Sequence, residues 1–318
     1  TTQSIGMDFG QYSQPLNVAA QTGHIEVNGS NNYGLRIANV FPWLPNYFDN
    51  TTVDGSDLGN GGIAVNGTRN VGVSLSKQIG AGLIGNISNL NVTVNGLEDI
   101  GILRRSDYAQ AGNMVFTASH IQNLNFGPNA SHSVLLRTDN GNITLDRNTT
   151  VNNGLGDNVV LQANGAGTSV INNTGRILTL DTGAVTSVGL LSSGGGILSN
   201  LGTVTINEDR SQGLSVLAGS SGGNSGTINV NGKESLGVYN AGTFTMSSGA
   251  ITSGAENSIG IYANNTLNTT INGGNITSKN GGIALYSGDN STINLSGSNI
   301  LTAQQGGLLF YNYMNGTG

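Results

Sequence analysis

The chain has 318 residues, of which only 9% are charged where about 25% is usual, while Gly fills 51 positions and Pro four. Its net charge of −6, with no basic cluster larger than Arg104-Arg105, excludes nucleic acid and anionic membrane surfaces as partners. With no cysteine there is no disulfide framework, thiolate metal site or thiol nucleophile; with no apolar run near the ~18 residues of a spanning helix, the chain is not expected to insert directly into a bilayer.

In chain order, the first recurring element is a Gly followed by alternating aliphatics. It occurs at Tyr33-Gly-Leu-Arg-Ile, Val71-Gly-Val-Ser-Leu and Ile100-Gly-Ile-Leu, then in weaker form at Ser133-Val-Leu-Leu and Asn158-Val-Val-Leu. It returns at Val188-Gly-Leu-Leu, Gln212-Gly-Leu-Ser-Val, Leu236-Gly-Val-Tyr, Ile259-Gly-Ile-Tyr, Gly281-Gly-Ile-Ala-Leu and Gly306-Gly-Leu-Leu-Phe. From Gly189 the glycines fall at 213, 237, 260, 282 and 307, so the spacings are 24, 24, 23, 22 and 25. A second recurring strand lies between these copies, introduced by Gly-Thr or Asn-Thr: Gly202-Thr-Val-Thr-Ile, Gly226-Thr-Ile-Asn-Val, Gly242-Thr-Phe-Thr-Met, Asn268-Thr-Thr-Ile and Ser291-Thr-Ile-Asn-Leu. Asn-Gly pairs often close it, as residues that tolerate positive φ do at turns.

A unit of this length, made of two or three short strands with period-2 alternation, cannot bury its own apolar face, so units must stack. One unit per coil with like strands in parallel predicts an all-β, right-handed parallel β-helix of about eleven coils, a single solenoid over 1–318. Leu35, Val73, Ile102, Leu190, Leu214, Val238, Ile261, Ile283 and Leu308 are expected to form one inward ladder, and Tyr239 and Tyr262, each one residue beyond it, to point outward one coil apart. At ~4.8 Å per coil the rod is on the order of 50 Å long.

Two stretches interrupt the repeat. Asn39 to Asn50 reads NVFPWLPNYFDN and holds the only Trp and two of the four prolines. Pro42 and Pro45 cannot donate to a strand ladder, so 39–62 is expected to leave the wall near Val40 and rejoin near Ile63. A weaker excursion is expected over 106–130, with Phe116 and Phe126. Loops held out from a rigid scaffold concentrate binding residues, and aromatics and Arg anchor interfaces, so Trp43, Tyr47, Phe48, Asp49, Arg104 and Arg105 are the candidate partner-binding residues. Trp43, Leu44 and Phe48 also suit a second role, folding back to cap the apolar core.

The units Ser248-Gly-Ala-Ile-Thr-Ser-Gly-Ala-Glu-Asn-Ser-Ile-Gly-Ile-Tyr-Ala-Asn-Asn and Asn231-Gly-Lys-Glu-Ser-Leu-Gly-Val-Tyr-Asn-Ala-Gly resemble the passenger repeats of type V autotransporters, in particular the large fusobacterial-type adhesins. The resemblance covers the whole chain and is clearest from about 186 to 310. It implies a passenger displayed outside a Gram-negative cell and anchored in the outer membrane through a C-terminal β-barrel that this chain does not contain, so the chain reads as a fragment of a longer passenger. The function so implied is adhesion to a host receptor or glycan, or to another bacterium, by a monomer without cofactor or metal.

Catalysis is not expected. The string Gly219-Ser-Ser-Gly-Gly-Asn-Ser-Gly lacks the Asp of a serine-protease nucleophile motif, and His24, His120 and His132 have no triad pattern around them. A polysaccharide-degrading β-helix sets carboxylates on adjacent coils of one face, yet 241–318 holds only Glu256, Lys279 and Asp289. Charge concentrates instead between 40 and 107, where Glu98-Asp99 and Arg104-Arg105 flank one strand, an arrangement that mutual pairing on a solvated edge also explains. A polysaccharide-degrading enzyme and a purely structural spacer are the two alternatives to the adhesin.

Overall fold

The computed structural model describes residues 5–10, 17–18, 24–38, 52–54, 62–76, 87–105, 113–266 and 268–313. Among them every regular element is a strand, and neighbouring strands pair in parallel with the equivalent strand of the next coil. The chain is a β-solenoid. One sheet of twelve strands runs its length, from Ile5–Gly10 and Tyr33–Ala38 to Ile283–Ser287 and Leu308–Asn312, and takes one strand from each of the eleven repeats read in the sequence. Two further walls run from Asn113–Thr117 and Thr149–Val151 onward and meet in the eleven-residue strand Asn268–Ser278, which pairs with both. The first coils are closed by sheets of four and three strands.

Alternation decides what lies inside. Leu35, Val73, Ile102, Leu136, Leu161, Leu190, Leu214, Val238, Ile261 and Leu285 stack in register, none more than 2% exposed. Burying each such side chain contributes about 1.5–3 kcal/mol, and none of it is available to a single coil alone. The last two members differ from the expectation: the ladder continues through Leu285 and Phe310, while Ile283 pairs with Ile259 and Leu308 with Ile283 in the outer column. The cause is that Gly282 and Gly307, the glycines that continue the spacing from Gly260, lie two residues before the equivalent wall position. In each described turn the residue three before that wall position has positive φ, as in Arg69, Glu98, Arg210 and Glu234, and in the last two coils that residue is itself Gly, at 281 and 306, which makes a Gly-Gly pair. The wall position equivalent to Gly260 is Ala284, whose carbonyl faces Gly260 in the adjacent coil.

The second recurring strand also divides. Thr203–Ile206 and Thr227–Val230 belong to one wall, whereas Thr243–Met246 and the first half of Asn268–Ser278, with the start of Ile293–Ala303 beside it, pair on the other. Both show the same Thr-rich alternation, because both bury every second residue.

Polar groups inside are organised in stacks of their own. The residue just before the strands of the long sheet is buried and polar in coil after coil. The N–H of Asn32 donates to Asn70 Oδ1 (2.9 Å), that of Asn70 to Asp99 Oδ1 (2.7 Å), that of Asp99 to Ser133 Oγ (3.0 Å) and that of Ser133 to Asn158 Oδ1 (3.0 Å). Further along, Ser187, Ser211 and Ser235 repeat the pattern at 3.1 and 3.0 Å. Each side chain so satisfies a buried donor one coil away, which a parallel stack of turns cannot do with backbone alone. A second ladder joins Asn172, Asn200 and Asn224, each amide donating to the next carbonyl at 2.8 Å.

Candidate functional site

Tyr33–Ala38, Val71–Ser76 and Ile100–Arg104 are consecutive strands of the long sheet, with Ala38 paired to Ser76 and the Arg105 N–H donating to the Leu75 carbonyl at 3.0 Å. Ala38, Ser76 and Arg105, the last described residues before 39–51, 77–86 and 106–112, therefore stack one coil apart. Trp43, Tyr47, Phe48 and Asp49 lie outside the described residues. Within the predicted 39–62 loop, Thr52–Asp54 is a short strand that pairs with Asn17–Val18 and Ile87–Ser88. Of the stretch 106–130, residues Asn113–Thr117 and Ile121–Phe126 are strands of the wall, and Phe116 and Phe126 are buried in its core.

The two adjacent arginines part company. Arg105 is exposed just beyond the end of its strand. Arg104 is not a surface residue, as expected from its neighbour, but is 3% exposed and stacks in the inward column between Leu75 and Thr138. Ile102 points in, so Arg104, two residues on, must also. Its guanidinium donates to the Asn142 carbonyl, and burial pushes its pKa down to about 10. Glu98 and Asp99 divide in the same way. Glu98 sits on the outer turn, where a hydrogen bond from Arg69 (2.5 Å) holds its carboxyl below the usual range; Asp99 is fully buried in the polar stack.

On the outer face of the long sheet, toward the turns that precede its strands, lies a groove of about 520 Å³. Ile100, Val134 and Val159 form its floor, Arg137 and Gln162 one wall, and the turn residues Arg69, Glu98, His132 and Asp157 the other. On the walls Arg69 pairs with Glu98 and Arg137 with Asp139 at 2.7 Å, and His132 Nε2 lies 3.4 Å from Asp157 Oδ2. An apolar floor between polar walls suits recognition by shape and hydrogen bonding.

Further along the same face the outward column becomes aromatic. Tyr239 and Tyr262 point outward in adjacent coils, as alternation predicts, and Tyr286 and Tyr311 continue the ladder. Ring centroids are 5.7, 4.9 and 4.9 Å apart, the first two pairs edge-to-face and the last stacked. The sequence signal is present as Leu285-Tyr286 and Phe310-Tyr311, four residues after Gly282 and Gly307 where Tyr262 stands two after Gly260.

Family models, curated proteins and solved structures offer no match to the chain.

Proposed function

We propose that this solenoid is a section of a cell-surface adhesin, of the autotransporter-passenger kind, which binds a host receptor or glycan, or another bacterium, without chemistry on its partner. The observation that supports this reading is the stacking of Ala38, Ser76 and Arg105, the ends of three consecutive wall strands, which sets the starts of 39–51, 77–86 and 106–112 one coil apart. Segments that start from stacked positions on a stiff scaffold begin close together, which lowers the cost of presenting them to one partner. In this reading Trp43, Tyr47, Phe48 and Asp49 anchor the contact and Arg105 lies at its margin, while Arg104 holds the wall from inside.

The test is retention of the purified chain on arrays of host receptors and glycans, beside a variant in which 41–58 is replaced by a short Gly-Ser turn. Selective retention is expected for the chain, and a loss of at least about tenfold for a variant that keeps its β circular dichroism. Equal retention by both would move binding off this segment, and new reducing ends after incubation with the bound glycan would replace adhesion by degradation.

A further inference from the structure

The geometry points to a second binding site, separate from the strand ends at Ala38, Ser76 and Arg105: the tyrosine ladder at 239, 262, 286 and 311 is a platform for an uncharged oligosaccharide lying along the rod. The five strands of the long sheet from Gln212–Val216 to Leu308–Asn312 contain no Asp, Glu, Lys or Arg, whereas earlier strands of the same sheet carry Arg36, Arg104 and Arg137. The rings thus have no charged neighbour in their own strands, while the Asp289 carboxylate, in the turn after Ile283–Ser287, acts on Tyr262 and Tyr286, so the face disfavours acidic ligands and suits a neutral one.

What this face offers is ring surface and hydrogen-bonding groups in alternation. Tyr262 and Tyr286 are partly exposed and Tyr311 is 42% exposed. Their 4.9 Å spacing is on the scale of one pyranose unit, and a pyranose presents apolar C–H faces to rings and hydroxyls at its rim. At the near end Asn264 Nδ2 donates to the Tyr239 hydroxyl at 2.7 Å, which fixes both groups. Among the described residues the hydroxyls of Tyr286 and Tyr311 have no such partner, so they are open to a ligand's rim hydroxyls. Leu236, Ile259 and Ile283, half-buried in the adjacent outward column, complete an apolar bed alongside the rings.

The probe is an array of neutral oligosaccharides with sialylated and sulfated ones as controls, followed by titration of the neutral glycan retained most strongly. The proteins are the full chain, Tyr262→Leu/Tyr286→Leu and Tyr262→Phe/Tyr286→Phe. Leu keeps apolar bulk and strand preference but removes the ring; Phe keeps the ring. Neutral glycans are expected to bind the full chain and the Phe pair, and to bind the Leu pair about tenfold more weakly. Should the Leu pair not fold, Tyr311→Ser at the exposed end gives the same readout. Retention of charged glycans only, equal binding by the Leu pair, or a concentration-dependent dimer abolished by it would overturn the assignment. Because every variant keeps residues 39–62, loss of glycan binding here is distinguishable from failure of the site proposed there.

Discussion

Asp99→Asn is expected to stabilise the solenoid by about 3 kcal/mol above pH 7 and to change it little at pH 4. Asp99 is fully buried, in a column whose other described members are neutral Asn, Ser or Gly. Desolvation pushes its carboxyl up to about 6, against the opposing hydrogen bond from the Asn70 N–H, and its Oδ2 is buried without a partner. The sign follows from linkage. Unfolded, the group titrates near 4; folded, it prefers the proton, so the native state is unpenalised below about pH 4 and loses stability as pH rises through about 6. An Asn here keeps the acceptor for Asn70 and adds a donor. Asn70 shows where that donor goes, since its Nδ2 reaches the carbonyls of Asn66 (2.6 Å) and Gly29 (3.1 Å), and Asn158 Nδ2 reaches Ala130 at 3.0 Å. Urea melts from pH 4 to 8 check this: a declining midpoint for the natural chain and a flatter, higher one for the variant are expected. A variant less stable than the natural chain at pH 7.5 would show that the carboxylate is held by compensating contacts.

Phe244→Ala is expected to cost about 3–5 kcal/mol. Phe244 is fully buried, and the register sets it between Gly222 in one coil and Thr269 in the next. The large ring is matched to a small neighbour. A Cβ on Gly222 would lie 2.4 Å from Val216 Cγ2, so the space beside Phe244 is already full and the walls, tied coil to coil by their ladders, cannot collapse into the hole. Hydrogen exchange should localise the loss to the coils between 212 and 287, because a solenoid's coils touch only their neighbours. Phe244→Leu is expected to recover most of the loss. A cost below about 1 kcal/mol for the Ala variant would mean the ring is not packed as described.

The sequence carried the architecture because two periods coincide in it. Aliphatics alternate at two within each strand, and strands recur at about 24, which no helical pattern imitates. It carried Tyr239 and Tyr262 as outward for the same reason. Register was lost where glycine occupies more than one place: Gly282 and Gly307 lie two positions ahead of the wall position that Gly260 marks, which is Ala284 and Leu309 in the last two coils. Arg104 was legible and misjudged. With Ile102 inward, alternation alone places Arg104 inside, and only the pairing with exposed Arg105 suggested a surface patch. The polar column through Asn70, Asp99 and Ser133 was also visible, as a small polar residue two before each wall Gly, but its hydrogen bonds run between coils and no local rule gives them. The groove was not legible, because its walls come from turns and strands of four coils.

The register that gathers the four tyrosines and the strand ends at Ala38, Ser76 and Arg105 on one sheet is the claim on which both proposed sites depend. Dibromobimane, which fluoresces when it joins two neighbouring thiols, reads it directly in a chain with no cysteine of its own. Tyr262→Cys/Tyr286→Cys places both thiols outward on paired positions, and strong fluorescence is expected. In Tyr262→Cys/Ala284→Cys the second thiol is buried inside the wall, and none is expected. Fluorescence from the second pair and not the first would mean that the coils stack two residues out of this register, with the tyrosines on no common line.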